Sequence, residues 1–339
     1  MKEQFISELK VGEAVVSFFL VRRKQLENFR DPSRGQFLTL VLVDRTGQMI
    51  GRVWENAREA YDAFAEGEVV KVQGVLEYYR DRPQLIAQRL RRAEPAEYDA
   101  GDFVPSTDKD VVALTSALRA AIAEVTHPSL GQLLRSFFDD EAFMQAFQTA
   151  PGSKAIHHPH LGGLLEHTLE VLSLAKALMQ ICPQIDRELL VAGVVLHDVG
   201  KTVAYEYTLD IDYSVVGRLE GHVALSDRML NERIRAIPGF PEELRLRLSH
   251  MVLSHHGRYE WGSPREPATL EACALHHLDE LSAQVNRFAR VVAAASGADA
   301  EALWSDYDRV LRRFLYLGRP YDEIVVEEDH AGKDEEREG

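Results

Sequence analysis

The sequence predicts a multidomain chain, an all-β barrel followed by an all-α helical bundle, on three observations. Short runs of β-branched and aromatic residues, broken by turn residues, fill the first hundred positions. The stretch "YDAGDFVPSTDK" then mixes Gly, Pro, Ser and Asp with no apolar period. Beyond it, apolar residues recur at helical spacing. A chain of 339 residues also exceeds one typical core. The expected units are residues 1–97, a linker at 98–109, a helical domain at 110–320 and an acidic, disordered tail at 321–339.

In order, "GEAVVSFFLVRRKQLENF", "QFLTLVLVDRTG" and "QMIGRVWEN" read as strands, with "DRTG" as a tight hairpin turn. "AREAYDAFAEG" is a short helix stopped by Gly67, and "EVVKVQGVLEYYRDRPQLIAQRL" supplies one or two more strands. Three strands, a helix and two strands is the order of an OB-fold, a small barrel whose open face commonly binds single strands. The helices follow: "DVVALTSALRAAIAEV", "HPSLGQLLRSFFDDEAFMQAFQTA", "LGGLLEHTLEVLSLAKALMQ", "RELLVAGVVLHDVGK", "GHVALSDRMLNERIRAI", "PEELRLRLSHMVLSHHG" and "PATLEACALHHLDELSAQVNRFARVVAAA". Pro241 and Pro267 suit first-turn positions and Gly257 a helix stop. No strand signal in this half is strong enough to build a sheet.

No apolar run reaches the ~18 residues of a membrane helix, and the N-terminus shows no secretory signal. Two cysteines, Cys182 and Cys273, are too few for a disulfide framework or a thiolate metal site. A cytoplasmic location is the expectation. The net charge of -15 is unevenly spread: residues 1–100 hold 16 basic and 16 acidic residues, whereas from Asp322 onward nine acids face Lys333 and Arg337. A polyanionic ligand on the neutral first domain is therefore not excluded.

Most of the thirteen histidines fall between His157 and His277, on or at the ends of helices. His167 lies inside one; the apolar run "VVLHDVG" ends in His197 and Asp198. His222 opens a third helix, His255 and His256 close a fourth, and Asp279 lies in a fifth. Singly, each is more often a surface or satisfied core residue. Together, if buried without partners, each would cost about 1–3 kcal/mol, and a shared divalent ion removes all the penalties at once.

The order His167, His197-Asp198, Asp279 resembles the HD-domain superfamily of metal-dependent phosphohydrolases. "HHPHLGGLLEH", "HDVGK", "GRLEGH" and "LSHHGRYEWGSPREPATLEA", behind an OB-like domain, are similar to its YhaM-type 3′-to-5′ exoribonuclease branch. The resemblance implies one or two divalent ions. Asp198 would bridge; His167, His197 and Asp279 would complete one site, and His222, His255 and His256 the second. It favours Mn; Fe, Zn, Co and Mg remain alternatives, with His/Asp ligation disfavouring Ca. Asp198 and Lys201 are the catalytic candidates. Lys201 would reach a phosphate oxygen, against the alternative of a solvated helix-end lysine. Arg218 and Arg258 are weaker phosphate-contact candidates. His276, one turn before Asp279, is expected to be structural rather than to support a ligand, and "HHPH" (157–160) is either the lining of a substrate entrance or a polar loop.

In the first domain Phe37, Trp54, Tyr78 and Tyr79, with Arg52 and Arg80, are the candidate nucleic-acid contacts. Further cations there are Arg22, Arg23, Lys24, Lys71 and Arg82. Strand alternation puts Tyr78 and Tyr79 on opposite faces, and core packing is the competing role for each aromatic. The expected function is 3′-to-5′ hydrolysis of single-stranded RNA, with DNA as a further substrate left open and the direction implied by the resemblance. The alternatives are a phosphohydrolase of free nucleotides or cyclic dinucleotides, and a non-catalytic nucleic-acid-binding protein with a structural metal. The oligomeric state is not legible.

Overall fold

Five strands close into a barrel in the computed structural model, which describes residues 2–79, 82–154, 156–296 and 302–318. They are β1 (Ala14–Asn28), β2 (Gln36–Asp44), β3 (Gly47–Val53), β4 (Val69–Tyr79) and β5 (Arg82–Arg92), with α1 (Ala57–Asp62) between β3 and β4. Their order around the barrel is β1-β2-β3-β5-β4, and the β3–β5 pair is the parallel one. Alternation puts Leu38, Leu40 and Leu42 of β2 inward, where they meet Val15, Phe19 and Leu85.

The middle of β1 departs from alternation: Phe18 and Leu20 are buried as well as Phe19 and Val21. Both faces are covered there, the outer one by Phe103 and Leu209. The register of β1 against β2 slips between Val21 and Arg23, and Arg22 at that irregularity donates to Asp210 at 2.9 and 3.1 Å.

The connector at 98–109 is packed. Tyr98 and Phe103 make an edge-on ring contact, Phe103 and Val104 are buried, and Ser106 bridges to Leu161.

The helices are α2 (Val111–Ala123), α3 (Pro128–Phe138), α4 (Glu141–Thr149), α5 (Gly163–Ile181), α6 (Arg187–Leu196), α7 (Lys201–Ala204), α8 (Val215–Arg235), α9 (Glu242–Ser254) and α10 (Leu270–Ser296). The caps explain several boundaries. Asp140 accepts from the amides of Ala142 and Phe143, splitting one expected helix into α3 and α4. Asp110, Asp186 and Ser214 cap α2, α6 and α8 in the same way. Pro241 stands one residue before the first turn of α9, and Pro267 three before α10. Phe137, Phe138 and Phe147 pack with Leu164, Leu190 and Leu248 into the core, each full burial contributing about 1.5–3 kcal/mol.

Two short strands, β6 (Tyr205–Glu206) and β7 (Asp212–Tyr213), pair between α7 and α8. Two residues per strand are too few for a period to register in sequence, so the expectation of a domain without a sheet misses this hairpin. Among the described residues no helix is long and apolar enough to cross a membrane.

Residues 1–283 form one compact unit and 284–339 a second. In the second, Trp304 pairs with Tyr316 and Asp308 with Arg313, and Arg287 holds Asp308. The tail at 321–339 lies outside the described residues, as does Arg80.

Candidate metal centre

Helix α6 is buried from Leu189 to Leu196, and its last turn delivers His197 and Asp198 into the bundle at 0% and 2% exposure. His167 arrives from the middle of α5 and Asp279 from α10. Helix α8 kinks at Gly221, whose φ of 77° lies in the left-handed region, so that His222 starts a fresh helical run turned towards Asp198. His255 ends α9, and Gly257, at φ 75°, breaks the backbone just after His256.

Asp198 is where these residues meet. Its Oδ2 lies 3.2 Å from His197 Nε2, 3.8 Å from His167 Nε2 and 2.5 Å from Lys201 Nζ. Its Oδ1 lies 3.4 Å from His222 Nε2 and 3.6 Å from His255 Nε2. Asp279 Oδ1 is 2.9 Å from His167 Nε2 and 3.8 Å from His197 Nε2. His256 Nε2 sits 3.2 Å from His222 Nε2. Two donor groups result, His167–His197–Asp279 and His222–His255–His256, with Asp198 between them.

The opposite ring nitrogens are committed elsewhere. His197 Nδ1 donates to Val194 O, His255 Nδ1 to Val252 O and His256 Nδ1 to Trp261 O, at 2.6–2.7 Å. These bonds leave the Nε2 lone pairs aimed at the centre. His167 is oriented through a side chain. The Ser282 hydroxyl donates to Glu170 Oε2 at 3.1 Å, so its oxygen accepts from His167 Nδ1 at 3.2 Å. Ser282→Ala is expected to weaken metal binding about 10- to 100-fold while leaving the fold intact, read by metal titration of the purified protein.

A divalent ion fits these donors. His167 Nε2, His197 Nε2, Asp198 Oδ1 and His255 Nε2 are buried and meet no partner in hydrogen-bonding geometry. Such orphans are rare unless a ligand satisfies them. Donor spacings of 2.9–3.8 Å match bonds of about 2.0–2.2 Å to a shared ion. Burial pushes the His222 imidazole down to about 3 and holds His255 well below its ordinary range, so both are neutral donors at neutral pH. Burial alone would raise Asp198, but the neighbouring Lys201 and His197 outweigh it and hold the carboxyl well below the usual range.

Lys201 is buried against Asp198, which removes the solvated-lysine alternative. Arg218 is exposed and paired with Asp212 at 2.8 Å; Arg258 stacks on Trp261. His276 Nδ1 donates to His255 O, supporting the helix end. In the "HHPH" stretch, His160 and Lys109 engage Glu166, and His158 engages Glu170. His157 packs on His167 with ring centroids 4.8 Å apart, and both its nitrogens are buried without a partner.

On the barrel, Phe37 and Trp54 join Phe29 in a cluster with centroids 5.0–5.7 Å apart, Trp54 being 39% exposed. Arg34 lies over Phe29 and Arg52 over Phe37, the latter also paired with Glu27 at 3.3 Å. Tyr78 and Tyr79 are both exposed, and Tyr78 lines a different groove with Ile50 and Pro83. Arg22 and Lys24 serve structure instead: Lys24 Nζ donates to the carbonyls of Tyr61 and Phe64.

Comparison with known proteins agrees with this geometry. A profile described as "OB-fold nucleic acid binding domain" matches residues 20–93 and one described as "HD domain" matches residues 164–284. The 3′-5′ exoribonuclease YhaM of Shouchella clausii (strain KSM-K16) is 32% identical over 286 residues, covering 84% of this chain and 88% of that protein. The chain belongs to the YhaM family. As a YhaM family member it carries an HD domain, which implies a divalent metal, and the buried His/Asp groups are the candidate ligands. Among solved structures, the second OB-fold domain of replication protein A from Methanococcus maripaludis is 22% identical, covering 28% of this chain and 96% of that one, with a TM-score of 0.24.

Proposed function

We propose that this YhaM family chain is a metal-dependent 3′-to-5′ exoribonuclease that holds single-stranded RNA on the barrel and cleaves it in the helical domain. The observation that carries the reading is Asp198, with one carboxylate oxygen towards each of two histidine groups. The relative's name supplies substrate and direction.

His167, His197 and Asp279 would hold one ion and His222, His255 and His256 the other, with Asp198 offering a carboxylate oxygen to each group. Mn is the preferred metal, ahead of Fe, Zn, Co or Mg. The chemistry that divalent ions would supply there is a water pKa lowered towards ~7 and neutralised phosphoryl charge. Lys201 has three N–H donors, of which Asp198 occupies one direction, so the others serve a non-bridging phosphate oxygen. A water oxygen bonds to phosphorus, the bond to the 3′-oxygen of the preceding nucleotide breaks, and that oxygen takes up a proton. The product is a nucleoside 5′-monophosphate.

The Phe29–Phe37–Trp54 cluster offers ring faces to bases, with Arg34 and Arg52 beside it. Trp54→Ala is expected to weaken binding of a short single strand about 10-fold, measured by fluorescence anisotropy. Arg218 and Arg258 contact phosphates only at the expense of their present partners.

The test compares labelled single-stranded RNA with a free or blocked 3′ end, single-stranded DNA and mononucleotides, in Mn and in chelator. Stepwise shortening from the free 3′ end, abolished by chelation, is expected. Faster turnover of mononucleotides would instead favour the small-nucleotide alternative, and metal-dependent binding without hydrolysis the non-catalytic one.

A further inference from the structure

A cavity of about 540 Å³ opens beside His222 and His256. Its volume falls in the range of small-molecule sites and suits one nucleotide. Two aromatic side chains stand in its wall. Trp261, 43% exposed, is fixed from the metal side because its carbonyl accepts from His256 Nδ1 at 2.7 Å, and Arg258 lies 4.7 Å from its ring centre. Tyr213, 39% exposed, is backed by Tyr205 at a 5.1 Å centroid distance and an interplanar angle of 30°.

The charges in the lining are already matched: Arg218 pairs with Asp212 and Glu220 with Arg228. Gly221 and Gly262 add no side chain to the cavity, and a Cβ built on either would meet open space. A space with aromatic walls, neutralised charges and a histidine group of the metal centre at its inner end suits a flat, uncharged ring attached to a phosphate. The proposed chemistry leaves Trp261 and Tyr213 without a role.

We infer that this cavity is a subsite for the terminal nucleobase, which stacks on Trp261 and against Tyr213 while its phosphate lies at the metal centre. The inference rests on the exonuclease reading for the identity of its ligand. Stacking on a ring face tolerates any base, so the subsite holds all four bases and rejects a terminal residue that lacks one.

The test titrates the Mn-loaded full chain with nucleoside 5′-monophosphates and with ribose 5-phosphate by calorimetry, and measures shortening of a labelled RNA strand alongside. Each monophosphate is expected to bind about 10-fold more tightly than ribose 5-phosphate. In Trp261→Ala that advantage should vanish, with ribose 5-phosphate affinity unchanged, and Trp261→Phe should restore most of it. Equal affinities in the unaltered chain overturn the subsite, and so does an advantage that survives Trp261→Ala. If the base advantage is present but the strand is not shortened, the exonuclease reading falls and the subsite stands.

Discussion

Asp198→Ala is expected to reduce RNA hydrolysis about 10³-fold or more, because it removes the carboxylate shared by both histidine groups. Elemental analysis should show metal lost with activity, while anisotropy shows the strand still bound through the barrel. A stability effect is expected as well. Lys201 is buried 2.5 Å from Asp198, and deleting one partner of a buried ion pair costs about 3–5 kcal/mol. Asp198→Asn separates the two consequences. It keeps an oxygen for Lys201 and should recover much of the thermal stability without recovering hydrolysis. A variant that keeps both metal and turnover would remove Asp198 from the centre of the chemistry.

Gly200→Ala should be nearly as damaging, for a steric reason. A Cβ there would stand 2.4 Å from the carbonyl oxygen of His222 and 2.5 Å from the amide nitrogen of Ser226. Both are backbone atoms of α8, so the helix must move, carrying His222 away from Asp198. Displacement of about 1 Å costs on the order of 10²-fold in rate, and overpacking about 1–3 kcal/mol. The His167–His197–Asp279 group is on the other side of Asp198, so the expected readout is loss of metal from the His222 side alone. Unchanged metal content with full activity would show that α8 accommodates the methyl group.

The candidate ligands stand out in the sequence because their chemistry conflicts with their surroundings: His197 and Asp198 close an apolar helix, and nothing in the local sequence satisfies them. The barrel was readable from β-branched alternation in β2, but α1 stops at Asp62, with Ala63 as its cap, and Gly67 serves the separate turn into β4 rather than ending the helix. Ser282 was not, since a serine on a helix gives no sign that its hydroxyl links Glu170 to His167. Nor was Phe29, which becomes meaningful only when the β1–β2 hairpin folds it onto Phe37 and Trp54. Arg22 and Lys24 misled for the opposite reason. In sequence they look like free strand-tracking cations, but Asp210 and the carbonyls of Tyr61 and Phe64 claim them.

The stretch from Tyr205 to Tyr213 answers to two neighbours. Leu209 and Asp210 near its tip are seated on the barrel, while Tyr213 at its base borders the cavity beside the candidate ligands His222 and His256. Surface loops ordinarily absorb insertions. This one is anchored at both ends, so an extra residue between Leu209 and Tyr213 is expected to disturb the seat on the barrel or the cavity wall. A short connection on the outside of the molecule is thereby given a reason to keep its length.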